Sequence, residues 1–238
     1  MDLASYLSEP LPFDKEIDKY IRDNKSLVIL EVGACEGEDT IKIRRKFPKA
    51  VYHAFEPLPA NIQRLNKNLK KYKISGVQLH QLALSDQDDV AEFYVSSGHP
   101  DDLPKTKGWD YGNKSSSLLA PKEHLKTHKW LKFNEKIKVK TQRLDSFCKT
   151  HDIDHIDFAH IDVQGAELMV LAGAGEFMKK IKVIWLEVGA IELYAHQPLK
   201  PSVENFMREW HFKCVKDTVD AVAGDQMYIN ASYYKELL

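Results

Sequence analysis

The residues in this chain whose types and spacing could do chemistry are a glycine loop and a set of acids. Residues 30–40 read LEVGACEGEDT, an apolar run ending in Glu31, then Gly33 and Gly37 four positions apart, then a charged, helix-like stretch. A loop that opens a helix points its backbone N–H groups at a ligand, and glycine lets that ligand come close. A pyrophosphate loop would read G-x-G-x-x-G, whereas this one reads G-A-C-E-G, and its acids Glu31 and Glu36 would repel phosphate. They suit a ligand with a positive charge and a sugar. Glu56 follows about twenty residues later, where an acid ending a second strand can accept from both ribose hydroxyls. Ala83-Leu84-Ser85-Asp86, Asp162 and Glu187 also close strand-like runs.

The elements that must position these residues follow from the apolar pattern. LVILEV (27–32) is nearly all apolar and rich in branched side chains, as a strand buried on both faces should be. Further strands are expected at VYHAFEP (51–57), VQLHQLALS (77–85), VAEFYVS (90–96), KIKVKTQRL (136–144), IDFAHIDV (156–163) and KVIWLEVGA (182–190), with FKCVKDTV and DQMYINAS as a closing antiparallel pair. Between them lie helical segments: EDTIKIRRKF, PANIQRLNKNLKKY with Ile62, Leu65 and Leu69 on one face, DSFCKTH with Asp145 placed as its cap, AELMVLAGAGEFM and SVENFMREW. The alternation predicts an α/β fold, a parallel sheet with helices on both faces, in which ligands bind beyond the carboxyl ends of the strands. Glu31, Glu56, Asp162 and Glu187 are therefore expected along one edge. An irregular Gly-, Pro-, Asp- and Ser-rich stretch from about 97 to 121 predicts a lid or binding loop. There Ser115, Ser116 and Ser117 offer hydroxyls, and Trp109 and Tyr111 could stack on a sugar face.

Length and composition bound the rest. At 238 residues one domain spanning 1–238 is the simplest division, with an N-terminal helical extension over 1–26 and an inserted lid or substrate loop over about 97–135. No apolar run approaches the roughly 18 residues of a membrane span, so no membrane partner is expected. The start MDLASYLSEPLPFDKEIDKY lacks the basic and apolar regions of a signal peptide. Cys35, Cys148 and Cys214 have no zinc-type spacing and cannot all pair, which points to a reduced, cytoplasmic setting. Net charge is −1, so nothing draws the whole chain to nucleic acid. Residues 122–140 are the local exception, with seven lysines against Glu123 and Glu135, best explained as a solvated helix followed by a strand edge blunted by lysines. Nothing in the sequence fixes an oligomeric state.

S-adenosylmethionine meets the demands of the acids: a ribose for Glu56, an adenine against the Ala83–Asp86 turn, and a cationic amino-acid portion near Glu31 and the loop. EVGACEGEDT, FEPLPANIQRLNKN, LALSD, NKSSSLL, HIDVQGAELMVLAGAGE and IWLEVGAIELY together resemble FkbM-type S-adenosylmethionine-dependent methyltransferases over roughly residues 27–212, most specifically through F-E-P-x-P-x-N and I-D-V-Q-G-A-E. The resemblance implies a Rossmann-like seven-stranded sheet, mostly parallel with an antiparallel last strand, and methyl transfer to a hydroxyl of a small molecule, with a sugar or glycan as the first expectation. It also implies that Glu31, Gly33, Ala34, Gly37 and Thr40 line the methionine side, that Glu56, Pro57 and Asn61 hold the ribose side, that Ala83, Ser85 and Asp86 flank the adenine, and that Asp162 sits beside the sulfonium. Where the family usually has D-V-E-G this chain has Gln164, a lost carboxylate that weakens any metal site built there. A hydroxyl acceptor needs a base, for which Asp162, Glu187 and His160 are candidates, His160 lying two residues before Asp162 on the same strand face. Mg²⁺ held by two carboxylates and waters is the less favoured route, and the metal ligands are left open. The alternatives are a methyltransferase acting on nucleic acid or another anionic acceptor through the lysine-rich segment, and a non-catalytic cofactor-binding module.

Overall fold

A computed structural model describes residues 2–21, 27–103 and 109–234. Parts of the expected N-terminal extension (1 and 22–26) and of the expected inserted loop (104–108) lie outside the described residues. Two short helices, α1 (Leu3–Ser8) and α2 (Asp14–Tyr20), precede the first strand, β1 (Val28–Val32). Then follow α3 (Glu38–Lys46), β2 (Val51–Phe55), α4 (Pro59–Lys71), β3 (Val77–His80), β4 (Ala83–Ser85) and β5 (Asp89–Gly98). After a 3-10 turn at Gly112–Ser115 come α5 (His124–Thr127), β6 (Leu131–Arg143), α6 (Leu144–Thr150), β7 (Ile156–Ile161) and α7 (Glu167–Ala172). A second 3-10 segment, Gly175–Lys180, leads to β8 (Ile181–Gly189), α8 (Lys200–Glu209), β9 (Phe212–Asp217) and β10 (Ala223–Asn230). No helix among the described residues is long and apolar enough to cross a membrane.

Seven strands form one sheet in the order β3-β2-β1-β7-β8-β10-β9. The first five run parallel, while β10 enters antiparallel between β8 and β9. This is the Rossmann-like sheet anticipated above. Its two faces follow from the two-residue period of strands. Leu30, Val32, Ala159, Ile161, Ile184 and Leu186 pack on one side with Phe147, Leu171 and Met178, whereas Ile29, Phe158, Val183 and Trp185 pack on the other with Phe13, Ile17, Ile41 and Leu65. By the same alternation, Glu31, His160 and Glu187 share the second face, and Asp162 continues it one step beyond β7.

Three details depart from the sequence reading. The run at 77–85 is two strands: β3 stays in the large sheet, whereas β4 crosses to a separate three-stranded sheet, β4-β6-β5. Asp145 does not cap α6, because Arg143 occupies the cap position; the Asp145 carboxylate instead accepts from the Arg143 guanidinium at 2.7 Å and from the Ser146 N–H at 2.7 Å. The helix of the lysine-rich segment is only four residues long. In β6, Lys132, Lys136, Lys138 and Lys140 alternate outward while Leu131, Val139 and Thr141 are buried, so the lysines form the solvated face of a strand.

One close approach fixes the centre of the sheet. Gly33 has φ +92°, and a Cβ there would lie 1.8 Å from the backbone oxygen of Asp162. Gly33→Ala should therefore cost roughly 2 kcal/mol or more, from the left-handed backbone and from overpacking. Urea denaturation measures this; a loss under about 0.5 kcal/mol, the ordinary range for surface changes, would show that the contact relaxes freely.

Candidate functional site

The carboxyl ends of β1, β2 and β7 open onto a cleft of about 800 Å³, part of it open to solvent. One wall is the turn after β1, Gly33 to Cys35, held down by hydrogen bonds from the Gly33 and Ala34 N–H groups to the Phe55 carbonyl. The opposite wall is apolar, formed by Leu82, Ala83, Leu84, Phe93 and Leu118. Between them stands Glu56, whose two carboxylate oxygens accept from the N–H groups of Cys35 at 2.9 Å and Leu58 at 2.7 Å. Each oxygen keeps a second lone pair for a ligand. Burial outweighs those donors and pushes the Glu56 carboxyl up to about 7.

Glu31 lines the same cleft but also braces it. Its Oε2 accepts from the Thr40 hydroxyl at 2.6 Å and from the Tyr52 hydroxyl at 2.8 Å, tying β1 to α3 and β2. Complete burial lifts its pKa to about 8 against the effect of those bonds. Thr40 and Gly37 support the loop from behind: Thr40 through Glu31, and Gly37, at φ +82°, where α3 begins against Leu65. Pro57 and Asn61 border the cleft. Ser85 and Asp86 do not border it; Ser85 donates to Asp86, whose carbonyl accepts from Arg143, one step past the apolar wall.

The segment 109–118 lies across the cleft mouth and is fastened from several directions. Asn113 donates to Glu36 at 2.8 Å and to Asn61 at 2.9 Å. Lys114 pairs with Glu38, and Arg64 pairs with both Glu36 and Asp110. Burial with Glu38 raises that acid, while the surrounding acids outweigh desolvation at Lys114 and raise its pKa. Ser116 borders the cleft, while Ser115 and Ser117 face Tyr194 and Gln164. Trp109 is packed against Tyr6 at 5.3 Å with the Lys114 ammonium 4.2 Å over its ring, and Tyr111 meets His99 edge-on at 5.4 Å. Neither ring borders the cleft itself.

At the far end the acids converge. Asp162, Glu167 and Glu187 bring carboxylate oxygens within 4.8 Å of one another. Gln164 stands between two of them: its Nε2 donates to Asp162 Oδ1 at 2.7 Å and to Glu187 Oε2 at 2.9 Å. Glu167 is turned to the backbone, accepting from Val163 and Gly165 at 3.1 Å each. Asp225 stands opposite Glu187 in the β8–β10 pairing, and burial pushes it up to about 7. Burial likewise raises Asp162 and Glu187, and their mutual repulsion drives Glu187 further up. His160 lies one layer below, its ring 6.0 Å from that of Phe13 and its Nδ1 buried without a hydrogen-bond partner among the described residues. It belongs to the packed layer under the acids rather than to the cleft wall.

A divalent cation fits these acids poorly. The space between Asp162 and Glu187 is taken by two amide hydrogens, and a cation there would require the amide to present its oxygen instead. Glu36, named in the sequence only as an acid of the loop, and Glu38, Asp39, Asn113, Lys114, Tyr194 and Asp225, none of them singled out there, complete the surroundings. All seven lay inside quoted stretches: Glu36, Glu38 and Asp39 in EVGACEGEDT, Asn113 and Lys114 in NKSSSLL, Tyr194 in IWLEVGAIELY and Asp225 in DQMYINAS.

Comparison with known proteins gives the following likenesses. The sequence profile described as "Methyltransferase FkbM domain" matches residues 31–214. The 2-O-methyltransferase NoeI of Sinorhizobium fredii is 36% identical over 204 residues, covering 85% of this chain and 79% of its own length. Methyltransferase 1 of Beauveria bassiana is 26% identical over 148 residues, covering 61% of this chain and 57% of its own. Among solved structures, the magnesium protoporphyrin IX methyltransferase of Synechocystis aligns with 91% of this chain and 77% of its own, at 6% identity and a TM-score of 0.49.

Proposed function

The chain belongs to the FkbM methyltransferase family and is an S-adenosylmethionine-dependent methyltransferase; from that premise we propose that it methylates a hydroxyl oxygen of a sugar or glycan. The observation that carries this reading is the convergence of the Asp162 and Glu187 carboxylates on the Gln164 amide, where Asp162 and Gln164 line the cleft. Methyl transfer to a hydroxyl requires a proton acceptor, and a buried carboxylate supplies one. Asp39 and Asp162 line the cleft and offer hydrogen-bond acceptors to a neutral polyol, while the lining cation Lys114 is already paired with Glu38 and has little to offer a phosphate. That favours a sugar over a nucleic acid or other anionic acceptor. The relative from Sinorhizobium, named a 2-O-methyltransferase, supports oxygen as the methylated atom.

The residues present fit the cofactor. Glu56 would accept from the ribose hydroxyls through its free lone pairs, Leu82 to Leu84 with Phe93 would cover the purine, and the buried acids of the loop would complement a cation. When bound, S-adenosylmethionine supplies an electrophilic methyl group on sulfur. The loop Gly33–Cys35 and the 109–118 segment hold the reacting groups in line and exclude water, the main sources of acceleration for such a displacement. Asp162, with Glu187 as its partner, takes the hydroxyl proton as the C–O bond forms and the C–S bond breaks, leaving an ether and a neutral thioether. The base route is preferred to Mg²⁺ because the Gln164 amide hydrogens fill the space between the acids. The three free cysteines, Cys35, Cys148 and Cys214, support a reducing compartment such as the cytoplasm.

Release of S-adenosylhomocysteine across a panel of sugars and glycosylated metabolites, with the methylated position identified in the product, tests the acceptor; turnover confined to phosphorylated or nucleic-acid acceptors would refute the sugar reading. Glu56→Ala should weaken cofactor binding about tenfold or more, the worth of a hydrogen bond to a charged group. Calorimetry giving the parent Kd would remove the ribose role. Because burial holds Glu56 near 7 and Glu31 near 8, and a bound cation favours their ionised forms, cofactor binding should release protons and tighten as pH rises from about 6 to 8. Calorimetry in buffers of different ionisation heat reads the sign, and proton uptake would contradict it. Turnover should be unaffected by excess chelator; its loss, restored by Mg²⁺, would revive the metal route.

A further inference from the structure

Gln164 makes more directed contacts than a tolerated substitute needs. Its backbone is left-handed, with φ +57°, and its carbonyl accepts from the Ser117 hydroxyl at 2.7 Å. A carboxamide has one NH₂ group with two hydrogens and one acceptor oxygen, and all are matched: the hydrogens by Asp162 and Glu187, the oxygen by the Tyr194 hydroxyl at 3.1 Å. The same Tyr194 hydroxyl lies 2.8 Å from the Ser115 carbonyl, so its single hydrogen faces both the amide and the segment over the cleft. Tyr194 is itself fixed. Its N–H donates to Gln197 Oε1, its backbone bridges Pro121, and a Cβ on Gly165 would come within 3.1 Å of its ring.

From this geometry we propose that Gln164 and Tyr194 are positioning residues for methyl transfer: the amide holds Asp162 and Glu187 as a matched pair, and Tyr194 fixes the amide's orientation and ties it to the Ser115–Ser117 segment. The inference rests on the base role given to Asp162 above. Two buried carboxylates facing each other would otherwise share a proton, leaving a poor base. An amide gives each a donor without adding a charge. Turned over, it would set its oxygen against both acids, and the Tyr194 hydrogen opposes that flip. The groups around the pair do not do this work: Glu167 on α7 is bound to the backbone, Asp39 on α3 and Asp225 on β10 repel, His160 on β7 lies beneath, and Lys114 is paired with Glu38. The Tyr6 hydroxyl of α1 is engaged with Asp39.

The test needs no acceptor. The full chain, labelled with ¹³C at its Asp and Glu carboxyls and bound to S-adenosylhomocysteine, is titrated by NMR, with the Asp162 signal identified by its loss in D162N. In Q164L, which removes both donors, the Asp162 midpoint should rise by about one pH unit or more. In Q164E, close in shape to the parent, a third carboxylate should raise it as well, which keeps the test valid if Q164L does not fold. In Y194F it should rise by less. A midpoint within about 0.3 pH units of the parent in both Gln164 variants overturns the role of Gln164, and an unmoved midpoint in Y194F overturns that of Tyr194. Failure of the parent to bind S-adenosylhomocysteine would instead strike the methyltransferase reading itself, which keeps the two failures apart.

Discussion

The approach of Gly33 to the Asp162 carbonyl is the contact on which the rest depends. A parallel sheet aligns the carboxyl ends of its strands, but alignment alone leaves loops free to diverge. Here the backbone turning out of β1 touches the backbone leaving β7, with no room for a side chain between them. The Asp162 N–H donates to the Val32 carbonyl at 2.9 Å, and the Gly33 and Ala34 N–H groups reach across to Phe55. Three strand ends are thereby joined edge to edge. The loop after β1 and the acid after β7 are locked together, and the distance between them is set by covalent geometry and hydrogen bonds.

Burial of acids follows from that arrangement and shapes its electrostatics. Glu31, Glu56, Asp162 and Glu187 all lie where desolvation disfavours charge, and in each the pKa is raised with burial as the leading cause. Isolated, such groups would be costly. They are instead provided with neutral donors: Thr40 and Tyr52 for Glu31, backbone N–H groups for Glu56, the Gln164 amide for the inner pair. The cations Lys114 and Arg64 are kept to the rim, pairing with Glu36, Glu38 and Asp110. The interior thus holds acids poised to ionise when a cation such as a sulfonium approaches, while the rim is locally neutralised.

Most of the fold was legible because its strands are apolar runs of the right length separated by amphipathic helices. Glu31, Glu56, Asp162 and Glu187 were legible because each ends such a run. The break within 77–85 was not, since Gln81 and Leu82 carry no glycine or proline to mark it, and the change of sheet depends on pairing with β6 nearly sixty residues away. The same misreading put Ser85 and Asp86 at the cleft, whereas the turn presents Leu82 to Leu84. Gln164 looked like a missing carboxylate because a sequence names side chains and not the partners that meet them. Its two acids come from neighbouring strands and its tyrosine from a third segment, so nothing local could reveal that the amide was matched on every atom.

The crossing of the chain from β3 to β4 gives the cleft two unlike sides. On the side of the apolar wall, the His80 carbonyl accepts from the Glu56 N–H, and β4 is already paired with β6, so Leu82 to Leu84 are spanned between two sheets. On the other side, the segment from 109 to 118 is held by side chains, Asn113 and Lys114 among them, and by one backbone bridge from Ser117 to Tyr94 of β5. Substitutions at Asn113 and Lys114 can change that second side without touching the bridge, whereas changes on the first must satisfy two ladders at once. The scaffold thus sets a wall that two ladders hold rigid against a segment whose side chains can change one at a time, so the two sides of one cleft differ in how much of the fold each change must answer to.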